Sequence, residues 1–203
     1  MSEGVAKPLP AGRVYQHMAP SVALEMDAQL MLRVRAGEEA CFADLLARHR
    51  NGVVAFIYRM VRNQAVAEEL AQEVFLRVYR SRHTYEPTAK FTTWLYRIAT
   101  HLTLNWIRDH QKDSKAEPVE GNVSLGDPAP TAEQALVNES RLNEVRRAVA
   151  GLPEKQRAAV LMHKYQEMDY SQIARSLNCS TSAVKSLLFR AYETLRQRLA
   201  HMA

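Results

Sequence analysis

Residues 170–185, YSQIARSLNCSTSAVK, decide the fold class of this chain. Asp169 stands just before a short helical pattern that ends at Leu177, and its carboxylate suits an N-cap. Asn178 and Cys179 form a tight polar turn. Ser180 or Thr181 then caps a second helix running to about Leu199. Short helix, tight turn and longer helix make a helix-turn-helix. On a wheel of about 100° per residue, Val184, Leu188, Ala191, Leu195 and Leu199 form one apolar stripe. That stripe packs on Ile173, Ala174 and Leu177. The opposite face carries Ser182, Lys185, Ser186, Phe189 and Arg190, with Thr181 at its start and one acid, Glu193, nearby. Lys and Arg reach phosphates or guanine acceptors, Ser bonds to either, and an apolar ring meets a thymine methyl. Most basic helix faces are merely solvated, but an aromatic ring among cations has no reason to sit on such a face. The pattern predicts a helix that enters the major groove of duplex DNA.

Outward from this stretch, the chain is short of glycine and lacks strand-like alternation. Its 203 residues include 47% apolar and 24% charged, with seven Gly. The expected fold is all-α: two small helical domains joined by a flexible linker, the C-terminal one a helix-turn-helix. The net charge of +5 and pI near 9.3 suit a polyanionic partner. Residues 1–26, with Pro8, Pro10, Gly12 and Pro20, read as a flexible tail. Residues 27–110, starting at a candidate N-cap Asp27, carry twelve Lys/Arg against nine Asp/Glu. Residues 111–134 contain three Pro and two Gly and read as an acidic linker, two bases against five acids. Residues 135–203 carry eleven bases against six acids. Within them, Gly151 to Pro153 form a turn, with Pro153 at the first position of the next helix.

Several function classes fall away. Cys41 and Cys179 lie in helical patterns without neighbouring His, so no metal site is expected and both read as buried reduced thiols. His110 and His163 read as isolated surface residues. There is no Gly-rich phosphate loop and no nucleophile–base arrangement, so no cofactor, catalytic residue or enzymatic activity is expected. The apolar run from Val53 to Tyr58 is too short to span a bilayer, and no secretory signal precedes it. A cytoplasmic protein without membrane insertion is the expectation.

The first domain carries two further surfaces. In the helix from Ala67, Leu70, Val74 and Val78 point inward. Glu69, Gln72 and Glu73, at i, i+3 and i+4, share an outward face. An acid and amide patch on a basic domain suits docking to a basic protein. The helix from Phe91 to about His110 is expected to bury Phe91, Trp94, Leu95, Ile98, Leu102 and Trp106. Its other side would show Arg97, Thr100, Thr103 and Arg108, with His101 at the margin. The preceding loop, residues 82–90, offers Tyr85 and Lys90. An aromatic loop above a basic helix can hold an unpaired strand by stacking bases and tracking phosphates.

These residues carry a resemblance. AEELAQEVFLRVYR (67–80) followed by FTTWLYRIA (91–99) resembles region 2 of the extracytoplasmic-function sigma factors. LPEKQR (152–157) through RAYETL (190–195) resembles their region 4. The resemblance implies an alternative sigma factor that binds core RNA polymerase and initiates transcription of a regulon. It implies that Glu69, Gln72 and Glu73 meet the clamp helices of the largest polymerase subunit, and that region 4 meets the flap. It implies that Tyr85, Lys90, Arg97, Thr100, His101 and Arg108 hold the minus-10 element, where a base is flipped out. Thr181, Ser182, Lys185, Ser186, Phe189 and Arg190 would read the minus-35 element, with Leu187 standing where relatives often have Arg. An anti-sigma protein is an expected partner. One alternative is a helix-turn-helix regulator that acts without being a polymerase subunit, as a dimer on a palindrome. Another is an interaction adaptor, which leaves the cationic face of the last helix unexplained.

Overall fold

A computed structural model describes residues 25–110 and 132–202, with side chains described from residue 139 in the second stretch. The tail at 1–24 and the linker at 111–131 lie outside the described residues. Among the described residues the regular structure is helical throughout. The first lobe comprises α1 (Met26–Arg35), α2 (Glu39–Val61), α3 (Gln64–Arg80) and α4 (Phe91–His110). The second comprises α5 (Ala132–Ala150), α6 (Glu154–Tyr165), α7 (Tyr170–Leu177) and α8 (Thr181–Arg198).

Local chemistry places the breaks. Gly37, at φ 104°, turns the chain between α1 and α2 in a conformation that a side chain would strain. Arg62 ends α2 in the left-handed region, and the Asn63 side chain accepts the Val66 N–H at 3.1 Å to start α3. Asp27 does not cap α1 as its position suggested. Glu25 precedes the helix, and Asp27 bonds Arg48 and His49 of α2 at 3.1 and 2.9 Å. Glu25 and Met26 therefore belong to the first lobe, which reaches back before Asp27. Pro153 is the N-cap of α6 rather than its first residue.

The core of the first lobe gathers Met31, Leu45, Phe56, Ile57, Met60, Val74, Phe91 and Leu95, all buried. Each such side chain contributes about 1.5–3 kcal/mol by leaving water. Helices α2 and α4 approach closely at Gly52, where an added Cβ would meet the Tyr96 hydroxyl at 3.0 Å. The second lobe buries Leu161, Met162, Ile173, Val184 and Leu188.

The apolar core continues from one lobe into the other. Helix α7 packs across α4, and α6 meets α2. The Ser176 hydroxyl, fully buried, donates to the Thr93 carbonyl oxygen at 3.2 Å. Arg157 bridges the lobes, with Nη1 donating to Met60 O at 2.5 Å and Nη2 to Leu152 O at 3.0 Å. Burial lowers the pKa of that guanidinium; Glu154 opposes the shift and Arg62 adds to it. The Arg59 guanidinium stands 4.2 Å from the centre of the Tyr165 ring.

Candidate nucleic-acid and polymerase interface

The helix-turn-helix is built by its caps. Asp169 and Gln172 form a capping box, the carboxylate accepting the Ser171 and Gln172 N–H groups at 2.8 and 2.9 Å. Those bonds, the Ser171 hydroxyl foremost, hold the Asp169 carboxyl below its usual pKa. Asn178 adopts the left-handed conformation, φ 51° and ψ 53°, that turns the chain. Ser180 caps α8 by accepting the Ala183 N–H at 3.1 Å. Val184, Leu188 and Ala191 are buried as expected, and Leu187 is half-buried beside them.

Thr181, Ser182, Lys185, Ser186, Phe189 and Arg190 are all exposed on one side of α8. Phe189 is 71% exposed. Burying that ring in water-free contact would recover about 1.5–3 kcal/mol, so its display favours a partner surface. The Ser186 hydroxyl donates to Ser182 O at 3.1 Å, which leaves its lone pairs outward as acceptors. Glu193, the nearby acid, is paired with Arg196 at 2.8 Å.

The face of α4 departs from the wheel. Arg97, His101 and Arg108 form an exposed stripe, and Lys90 is exposed at the end of the loop. Asn105 lies on the same stripe, at i+8 from Arg97, and was not picked out from sequence; its helical spacing was the available signal. Burial, and then Arg97, lower the His101 pKa. Arg108 leans on Asp109 at 3.3 Å. Thr100 is 0% exposed and is not displayed, and Thr103 is buried with its hydroxyl donating to Ala99 O at 2.7 Å. The physical reason is tertiary: a second layer, α7, lies over α4, so the helix is buried over more than its first-lobe side. The hydroxyl oxygens of Thr93 and Thr100 have no hydrogen-bond partner there.

Tyr85 is likewise not an open platform. It is 2% exposed, its ring 4.9 Å from Trp94 and 6.3 Å from Phe91 between centroids. Burial, with Glu25 and Asp27 adding, pushes its pKa up to about 12. An aromatic ring flanked by two others gains more by joining them than by facing water. Trp94 and Trp106, expected in the core, are half-buried, and Trp106 stacks on His110 at 4.3 Å. His163 is not an isolated surface residue. It is half-buried, contacts Met168 O through Nδ1 at 3.2 Å, and lies against the Tyr170 ring.

On α3, Glu69 and Gln72 are exposed, while Glu73 is partly covered and paired with Arg77 at 2.7 Å. Leu76, one turn on, is 49% exposed and completes the face at i+7 from Glu69. The sequence contains the signal for it, an apolar residue outside the Leu70–Val74–Val78 stripe. Cys41 is buried and Cys179 half-buried, its thiol pKa raised by burial. Among the described residues, no cluster of three or more His, Cys, Asp or Glu could hold a metal ion, and no helix is long and apolar enough to cross a membrane.

Known proteins match this arrangement lobe by lobe. Sigma-70 region 2 matches residues 45–113, and Sigma-70, region 4 matches residues 142–195. The chain is 31% identical over 174 residues to the ECF RNA polymerase sigma factor SigW of Bacillus subtilis, covering 82% of this chain and 93% of that protein. It is 35% identical over 172 residues to the RNA polymerase sigma factor CarQ of Myxococcus xanthus, covering 85% and 97%. Among solved structures, CnrH in complex with the cytosolic domain of CnrY shares the fold, with TM-score 0.66, 17% identity, 88% of this chain and 100% of that one. So does the sigma factor RpoE in complex with the anti-sigma factor NepR from Bartonella quintana, with TM-score 0.63, 19% identity, 78% and 96%. Two sigma regions in order, each on its own lobe, and relatives matched nearly end to end make this chain a member of the ECF family of RNA polymerase sigma factors.

Proposed function

We propose that this sigma factor grips a promoter at two points while docked on core RNA polymerase. The observation that carries the reading is Phe189, exposed between Lys185 and Arg190 on a face whose nearest acid is already paired. Thr181, Ser182, Lys185, Ser186, Phe189 and Arg190 read the minus-35 duplex from the major groove. Lys90, Arg97, His101, Asn105 and Arg108 track the phosphates of the opened minus-10 strand. Thr100 and Tyr85 join them only after rearrangement: Thr100 when α7 leaves α4, and Tyr85 when its ring leaves Trp94. Glu69, Gln72, Glu73 and Leu76 dock on the polymerase clamp helices, and region 4 contacts the flap.

In this reading the packing of α7 on α4 is a resting arrangement. The lobes separate when polymerase and promoter hold them apart, with the segment between α4 and α5, residues 111–131, spanning the gap. The protein works in the cytoplasm, does no covalent chemistry itself and needs no cofactor. An anti-sigma protein is the proposed regulator, in keeping with the anti-sigma factor NepR bound to the sigma factor RpoE of Bartonella quintana. The test is run-off transcription by core polymerase on a pool of random promoters. Transcripts that depend on this chain, from templates sharing two spaced elements, are the expected result. Tight dimeric binding to a palindrome with no polymerase-dependent transcript would instead make it a free-standing regulator.

A further inference from the structure

The minus-10 loop is held at both ends by one helix. Glu25, just ahead of α1, accepts the backbone N–H of Phe91 on Oε2 at 3.1 Å, across 66 residues of sequence. Arg35, the last residue of α1, donates from Nη1 to the Tyr85 carbonyl oxygen at 3.1 Å, across 50 residues. Between these anchors Glu86, Thr88 and Lys90 are exposed. Arg35 lies ten residues after Glu25, about 15 Å along a rigid rod. Helix α1 is itself tied to α2 through Asp27, whose carboxylate meets Arg48 and His49. The His49 ring in turn lies 5.3 Å from that of Phe91.

Neither bond is incidental to its partner. The first N–H groups of a helix have no intrahelical acceptor and attract an anion. Helix α4 has no acid in its own first turn, so Glu25 supplies one from a distance. The Tyr85 carbonyl sits where the chain leaves the preceding 3-10 turn in an extended conformation, with φ −68° and ψ 127°. There it has no regular-structure partner, and a guanidinium makes a strong one.

We propose that Glu25 and Arg35 are positioning residues for promoter opening, with α1 acting as a brace that sets the shape of the minus-10 loop. The inference rests on the proposed role of that loop and of the α4 stripe. A loop already held at both ends loses less conformational entropy when it captures an unpaired base, so more of the contact energy goes into opening the duplex. Neither residue touches DNA in this scheme.

The experiment uses the full chain with core polymerase on a promoter selected by the wild-type holoenzyme from a random pool. The variants are Glu25→Ala, Glu25→Gln, Arg35→Ala and Arg35→Lys. Opening is followed by permanganate reactivity of minus-10 thymines, beside affinity for core polymerase and for a minus-35 duplex. The two Ala variants are expected to open the promoter about tenfold more slowly, the scale of one charged hydrogen bond. Both affinities should stay unchanged, with most of the rate restored in Glu25→Gln and Arg35→Lys. Unchanged opening, or opening lost in step with core and minus-35 binding, overturns the brace; so does a failure of the conservative variants to recover. Arg97→Ala with His101→Asn is run in parallel. If that pair opens the promoter normally, the minus-10 reading itself falls; if it is impaired while the Ala variants are not, only the brace falls.

Discussion

At the scale of single residues, the proposed minus-35 reading rests on Phe189 and Lys185. Lys185→Ala should weaken duplex binding across sequences and reduce the salt slope by about 1 if the ammonium meets a phosphate. Fluorescence anisotropy with a selected minus-35 duplex between 50 and 200 mM salt, about the range where such slopes are read, checks this. A slope unchanged from wild type would place Lys185 off the backbone. His101 gives the pH dependence. Its pKa in the free protein is lowered, first by burial and then by Arg97. Strand phosphates favour the protonated ring. Affinity for a single-stranded minus-10 oligonucleotide should therefore rise as pH falls through the ordinary histidine range, and level off below the lowered pKa of the free protein. The fold responds with the same group in the other direction. A depressed histidine pKa gives stability that is present above the unfolded-state value and lost as pH falls through the folded one. His101→Asn should flatten the binding profile; a profile that keeps its rise assigns the proton elsewhere.

At the scale of elements, the α3 face and α4 behave differently under the same helical period. On α3 the wheel places Glu69, Gln72 and Glu73 outward, and the structure adds Leu76 beside them. A half-exposed leucine beside acids and an amide fits the centre of a docking patch better than a solvated face. Leu76→Ala should cost about tenfold in core polymerase affinity, the scale of losing a central apolar contact. Circular dichroism should not change, because the residue is on the helix surface and Ala is a strong helix former. Full retention of polymerase binding in a titration with labelled core would remove Leu76 from the patch. On α4 the same wheel fails at Thr100 and Thr103, because its premise of one buried face does not hold for a helix covered on two sides.

At the scale of the whole molecule, the described residues form two lobes packed on each other. Ser176 and Arg157 make polar bonds across the junction, and the Arg59–Tyr165 contact adds to them. The Thr93 and Thr100 hydroxyls on α4 are buried without hydrogen-bond partners, and an unpaired buried hydroxyl costs about 1–3 kcal/mol. Unpaired hydroxyls weaken the packing around α4, in line with the opening proposed for the lobes. Ser176→Leu introduces a larger side chain at a fully buried contact with α4. It should force the lobes apart, since overpacking costs about 1–3 kcal/mol while a separated α7 accommodates leucine freely. Small-angle scattering should show a larger radius of gyration, and the variant should bind the minus-10 oligonucleotide more tightly than wild type. A wild-type radius with wild-type binding would mean that closure does not limit access to α4.

What the sequence alone determined is what local spacing controls. Asp169 and Ser180 each cap the helix that follows within three residues, so those helix starts were legible where side chain and backbone are neighbours; Asp27, drawn away by Arg48 and His49, shows how a distant partner overrides that logic. The reading face of α8 was legible because residues at i, i+3, i+4 and i+7 share a side whatever packs behind them. Only the tertiary structure decided the fate of Thr100, Tyr85 and Glu25. Thr100 lies buried on a helix that packs against α7 as well as its own lobe, Tyr85 is covered by rings that converge from the next helix, and Glu25 reaches a helix end 66 residues on. Each outcome depends on which surfaces meet in space, and helical periodicity carries no information about partners that distant in the chain.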